Sequence, residues 1–139
     1  MQRDELQRLY FKKKTMKIFL DDVRNPSECV SYMHKRIGAL NPIYLEEWHV
    51  VRNFPDFQDI IHVFHKDITH ISFDHDLADI HYDPTTWTEG FVYQEKTGYD
   101  CAKWMKDYYI ENNIPFPIMF VHSMNPVGTE RIINLFKKL

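Results

Sequence analysis

The chain has 139 residues, a net charge of -3, and 44% hydrophobic and 15% aromatic residues, which suits one domain with one real core and excludes a disordered chain. That charge offers no global basic field for a duplex DNA partner. Cys29 and Cys101, with no Cys-x-x-Cys pair, fit a reducing cytoplasm and exclude a structural zinc knot, and no apolar run or signal-like opening points to a membrane.

Residues 1–15 read as an extension. Leu6 and Tyr10 are spaced as on a short amphipathic helix, ahead of the basic run Lys12-Lys13-Lys14. The domain proper is expected over residues 16–139. Lys17–Leu20 reads as a short buried strand that runs into Asp21, Asp22, Arg24 and a turn at Asn25-Pro26. Adjacent acids point in different directions, so at most one meets a metal directly while the other orients a water. Arg24 can pair with these acids or bind a phosphate. The plainer reading is an Asp–Arg ion pair at a loop mouth. Ser27 can cap a helix reaching Ile37, with Val30, Met33 and Ile37 as its apolar stripe. Residues 39–47 read as irregular, with a turn at Asn41-Pro42. Trp48–Arg52 reads as a second strand. Asn53 and Pro55 open a helix bearing Phe57, Ile60, Ile61 and Phe64 on one side.

The third strand, His70–Phe73, delivers Asp74-His75-Asp76, with Asp74 as the central acid. The plainer alternative makes Asp76 a turn cap and His75 a satisfied loop histidine. Residues 78–96 are long for a connection in a compact domain, and Thr86–Tyr93 could fold as a hairpin. Trp87, Phe91 and Tyr93 could stack on a base or cover the sheet. Thr97 and Asp100 match a capping box, and Gly98 between them allows a ligand to approach closely. Their helix buries Ala102, Met105 and Tyr109. Pro117–Val121 reads as the fourth strand. His122 and Ser123 follow, then Asn125 as cap and Pro126 at the first helical position. Gly128 leaves N–H groups open to an anion, and Ile132, Ile133 and Phe136 form the buried face.

Strand followed by helix, four times over, implies a parallel sheet with right-handed crossovers and a ligand site beyond the C-terminal strand ends. Three apolar runs that end in acids and imidazoles point to one site there. Clustered carboxylates are costly to bury and repel each other. A hard divalent ion on Asp oxygens resolves this most simply, leaving His75 and His122 to act as acid and base.

FLDDVRNP (19–26), SFDHDL (72–77), TGYD (97–100) and HSMNPVG (122–128), in that order, resemble the cyclic-phosphate processing receiver-like domains, a group common in phage and bacterial genomes. The resemblance runs from Met16 to the end of the chain. It implies a receiver- or flavodoxin-like three-layer sandwich with a four-stranded parallel sheet. It also implies a link to RNA repair, hydrolysis of a terminal cyclic phosphate and a cytoplasmic setting in a bacterial or phage-infected cell. Against true receivers, Asp21 and Asp22 match the metal-binding acid pair, Asp74 the phosphoacceptor and Ser123 the hydroxyl switch. The fifth strand and its Lys have no counterpart, and His75 and His122 are additions.

The expected activity is a metal-dependent phosphoesterase acting on a phosphate-bearing ligand, such as the 2′,3′-cyclic end of RNA or a cyclic nucleotide. Asp22 and Asp74 would hold Mg²⁺ or Mn²⁺, with Asp21 and Asp76 supporting. His75, as base, and His122 would move protons. Arg24, Ser123, Asn125 and Gly128 would hold the phosphate, with Thr97, Gly98 and Asp100 as supporting loop. The alternatives are a binding module for nucleotides or RNA ends without turnover, a receiver phosphorylated on Asp74, and a metal-independent mechanism run by the two histidines.

Overall fold

A computed structural model describes residues 2–12, 15–29, 42–75, 97–123 and 125–137. Strands β1 (Met16–Leu20), β2 (His49–Val51), β3 (Ile68–Phe73) and β4 (Ile118–Val121) form one all-parallel sheet in the order β2-β1-β3-β4. Helices α1 (Arg3–Lys12), α2 (Phe54–Phe64), α3 (Gly98–Glu111) and α4 (Pro126–Phe136) complete the labelled elements. This is the receiver-like α/β fold expected from the strand–helix order.

The local signals explain most boundaries. Asn53 caps α2 by accepting the Asp56 N–H at 2.9 Å, with Pro55 in the first turn. Thr97 and Asp100 form a complete capping box at α3, and Asn125 caps α4 through the Gly128 N–H at 3.0 Å. Other boundaries moved. β3 starts at Ile68, ahead of the expected His70, and β2 is shorter than Trp48–Arg52. The helical residues 26–29 begin at Pro26, so Asn25 and not Ser27 stands at their start. The Asn25 carbonyl accepts the Glu28 N–H, and the Asn25 N–H reaches Glu28 Oε2, each at 3.0 Å. The rest of the helix expected to reach Ile37 lies outside the described residues, as do Asp76, the connection 78–96 and its hairpin. A 3-10 turn occupies Pro42–Leu45.

Pleating sends alternate residues to opposite faces. On one face Ile18, Leu20, Ile71 and Phe73 pack with Phe57, Ile60, Ile61 and Phe64 of α2. Cys101, Ala102, Met105 and Tyr109 of α3 and Ile132 of α4 complete this core, with Leu6 and Leu9 of α1 against it. Ile133, expected on the buried side of α4, is 41% exposed, because a helix turns about 100° between neighbours and Ile132 holds the inward position. On the other face a smaller cluster joins Phe19, Cys29, Tyr44 and Trp48, with Phe120 beside it. Among the described residues no helix is long and apolar enough to cross a membrane.

The register positions the site. Leu20 pairs with Phe73, and Phe73 with Val121, so three neighbouring strands end in line. The ladder continues for one more residue. The N–H groups of Asp21, Asp74 and His122 bond to the carbonyls of Val51, Leu20 and Phe73 at 3.0, 2.9 and 3.0 Å.

Candidate functional site

Asp21, Asp74 and His122 are each the first residue after a strand, and the alternation of the pleat carries all three side chains to the Phe19 face. They are buried, and one ligand atom from each lies within 4.8 Å of the others. Asp21 Oδ1 accepts the N–H groups of Val23 and Arg24 at 3.0 and 2.8 Å. Its Oδ2 meets Arg24 Nε at 2.9 Å and His122 Nε2 at 3.1 Å. Arg24 Nη2 pairs with Asp74 Oδ1 at 3.0 Å, and the same oxygen accepts the His75 N–H at 2.9 Å. Arg24 therefore bridges the two acids.

His122 is completely buried and stacks on Phe19, with ring centroids 4.1 Å apart. Its Nδ1 lies 2.7 Å from Ser72 Oγ, which lies 2.8 Å from the Tyr44 hydroxyl. One arrangement satisfies every partner: Tyr44 donates to Ser72, Ser72 donates to Nδ1, and the Nε2 proton goes to Asp21. Burial supports it. It pushes the Tyr44 phenol up to about 12, so the phenol keeps its proton, and it lowers the His122 pKa against the pull of Asp21, which favours neutral imidazole.

The two acids are tuned apart. Burial works against the Asp21 carboxylate, but its bonds from His122, Arg24 and Val23, with the Arg24 charge, outweigh burial and hold its pKa well below the usual range. Asp74 is pushed up to about 7, first by burial and then by the charge of Asp21, despite Arg24 beside it. Among the described residues one guanidinium does not neutralise this pair, which leaves it short of positive charge. That shortage and the donor set fit a divalent cation. Ligation through Nε2 would need the opposite tautomer, with the proton on Nδ1 donated to Ser72 Oγ, a hydroxyl that can accept as well as donate.

Both motif glycines serve this site by contact. A Cβ on Gly98 would fall 1.5 Å from the Asp74 carbonyl oxygen, and one on Gly128 would fall 2.3 Å from Cγ of His75. The Gly98 N–H bonds to the His75 carbonyl. The starts of α3 and α4 thus press directly on Asp74-His75, which only glycine permits at these two points.

The donor set differs from the sequence expectation. Asp21, not Asp22, stands with Asp74, because the residue just past the strand stays on the same face as Phe19 while its neighbour turns away. Asp22 is half-buried outside the three-residue set. His122 joins that set. Asp76 lies outside the described residues. The Gly128 N–H is bonded to the Asn125 cap, and Ser123 Oγ accepts the Asn125 N–H at 3.1 Å, so the expected phosphate holders are bonded to one another. Thr97 and Asp100 bond to each other as the cap of α3. Three residues escaped sequence reasoning. Tyr44 and Ser72 brace His122. Arg52 clamps the acid loop, giving Nη1 to the carbonyls of Asp21 and Arg24 at 3.2 and 2.7 Å and Nη2 to Asn25 Oδ1 at 2.8 Å. A polar serine inside the apolar strand Ile71-Ser72-Phe73 was the available signal.

The model of one family, the cyclic-phosphate processing receiver domain, matches residues 16–138. No curated protein and no solved structure matches the chain.

Proposed function

The chain belongs to the cyclic-phosphate processing receiver domain family, and from that premise we propose that it is a phosphoesterase that opens a cyclic phosphate with the help of a divalent cation. The observation that carries this reading is the row Asp21–Asp74–His122, buried at the C-terminal edge of the sheet and short of positive charge. Asp21, Asp74 and His122 Nε2 would hold the ion. An imidazole among carboxylates favours Mn²⁺ over Mg²⁺. A bound ion would supply a water of lowered pKa and polarise a phosphoryl oxygen.

The chain's own residues do the rest. Arg24, with a side chain 22% exposed, is the group that can turn from the acids toward phosphate oxygens. Without the ion Asp74 holds a proton up to about pH 7, so the ion would take that proton's place as pH rises. His75 carries a proton to the leaving ribose oxygen. Water adds to phosphorus, one ring P–O bond breaks, and the ribose oxygen takes up the proton, leaving a monoester.

The test is an RNA oligonucleotide ending in a 2′,3′-cyclic phosphate, incubated with Mn²⁺, Mg²⁺ or EDTA, beside Asp74→Asn. The expected result is opening to a monophosphate with Mn²⁺, lost in EDTA and in the variant. Binding without turnover would make this domain a recognition module. Turnover that persists in EDTA would remove the cation from the reading. Transfer of phosphate to Asp74 would make it a receiver.

A further inference from the structure

Helices α3 and α4 pack side by side, and between them opens a groove of about 530 Å³ lined by Tyr99, Lys106, Arg131, Asn134, Leu135 and Lys137. Among the described residues the lining holds three cations and no acid, in a chain of net charge -3. Among the described residues none of these cations has an ion-pair partner. The Arg131 guanidinium instead lies 4.2 Å over the Tyr99 ring. A face that serves only solubility mixes both signs, whereas here the described residues gather charges of one sign.

The two helices that form the groove start at the sheet edge that carries the candidate site. Tyr99 follows Gly98, which is pressed on Asp74-His75, and α4 starts with the turn that holds Gly128 against the His75 ring. With a rise of 1.5 Å per residue, Arg131, Lys106 and Lys137 stand roughly 8, 12 and 17 Å along their helices from that edge. One phosphate cannot meet cations spread over that length, but successive phosphates of a strand can. An aromatic ring carrying an arginine is also a stacking element for a base.

We infer that the α3–α4 groove holds the single-stranded RNA that leads to the cyclic end, which makes the substrate an oligonucleotide and not a free cyclic nucleotide. The inference rests on the cyclic-phosphate reading for where the strand ends, and a 2′,3′-cyclic phosphate requires the ribose 2′-hydroxyl of RNA. The groove itself binds phosphates whatever the end.

The experiment is fluorescence anisotropy of a labelled RNA oligonucleotide with a plain 3′-hydroxyl, across a salt series, with wild type and the triple variant Lys106→Gln/Arg131→Gln/Lys137→Gln. Loss of three phosphate contacts should weaken binding at least about tenfold at low salt and flatten the salt slope by about 2. Tyr99→Leu should weaken binding about fivefold or more while leaving that slope unchanged. The melting temperature should match wild type in the triple variant. Because the hydroxyl-ended probe has no cyclic phosphate, this result stands even if the esterase assay fails. Equal RNA affinity and slope in wild type and triple variant would overturn the groove. So would an acidic peptide that competes as well as unlabelled RNA, which would mark the surface as a protein contact.

Discussion

The two faces of the sheet come from the same four strands but are closed by different forces. The face toward α2, α3 and α4 is closed by apolar side chains, with the Tyr109 hydroxyl buried among them, and its stability follows buried area and fit. The other face stacks Phe19 on His122 and runs a chain of hydrogen bonds from Tyr44 through Ser72 and His122 to Asp21. Each polar group there is satisfied only while the others are in place. The first face holds the sheet together. The second uses that rigidity to keep an imidazole and two acids in one row.

The comparison can be tested by breaking each face separately. Ile60→Ala in the helix-side core should cost about 2–5 kcal/mol in urea unfolding, with no change in the pH dependence of stability. Asp74→Asn should do the opposite in EDTA. The native carboxyl has its pKa raised from 3.8 to about 7, so between those values the folded state keeps a proton that the unfolded state has lost. Wild-type stability should therefore fall as pH rises from about 4 to 7, by up to roughly 4 kcal/mol, and the variant should lack that fall. Asp21 has the opposite sign. Its lowered pKa contributes stability above the unfolded carboxylate range and loses it as pH drops, so acid unfolding should persist in Asp74→Asn. A cation must displace the Asp74 proton, so Mn²⁺ affinity should fall about tenfold per pH unit below about 7 and level off above it. The smallest effect is expected from Ser72→Ala. Leaving Tyr44 and His122 without their shared partner should cost about 1–2 kcal/mol, and a double-mutant cycle with Tyr44→Phe should be non-additive.

The apolar face was legible in the sequence because its residues announce themselves by period. Phe57, Ile60, Ile61 and Phe64 recur at helical spacing, and Ala102, Met105 and Tyr109 do the same. The row at the sheet edge was legible in part, since Asp21, Asp74 and His122 each follow an apolar run. Which of Asp21 and Asp22 enters the row depends on whether the strand ends at Leu20, a one-residue question that reverses the face. The far-reaching pairs were not legible. Tyr44 lies 28 residues from Ser72, Ser72 lies 50 from His122, and Arg52 reaches back to the Asp21 loop, contacts that only the strand order creates. Gly98 and Gly128 suggested room for a ligand, yet both are places where helix starts meet Asp74-His75.

Asp21, Asp74 and His122, far apart in sequence, make up the proposed cation site. Calorimetric titration of Mn²⁺ at pH 8 into wild type, Asp21→Asn, Asp74→Asn and His122→Gln tests it most directly. Wild type should show a single site that weakens at least about tenfold in each variant, since every ligand would be shared by the same ion. Equal affinity in all four proteins would overturn the site and leave Arg24 as the cation that these acids hold among the described residues.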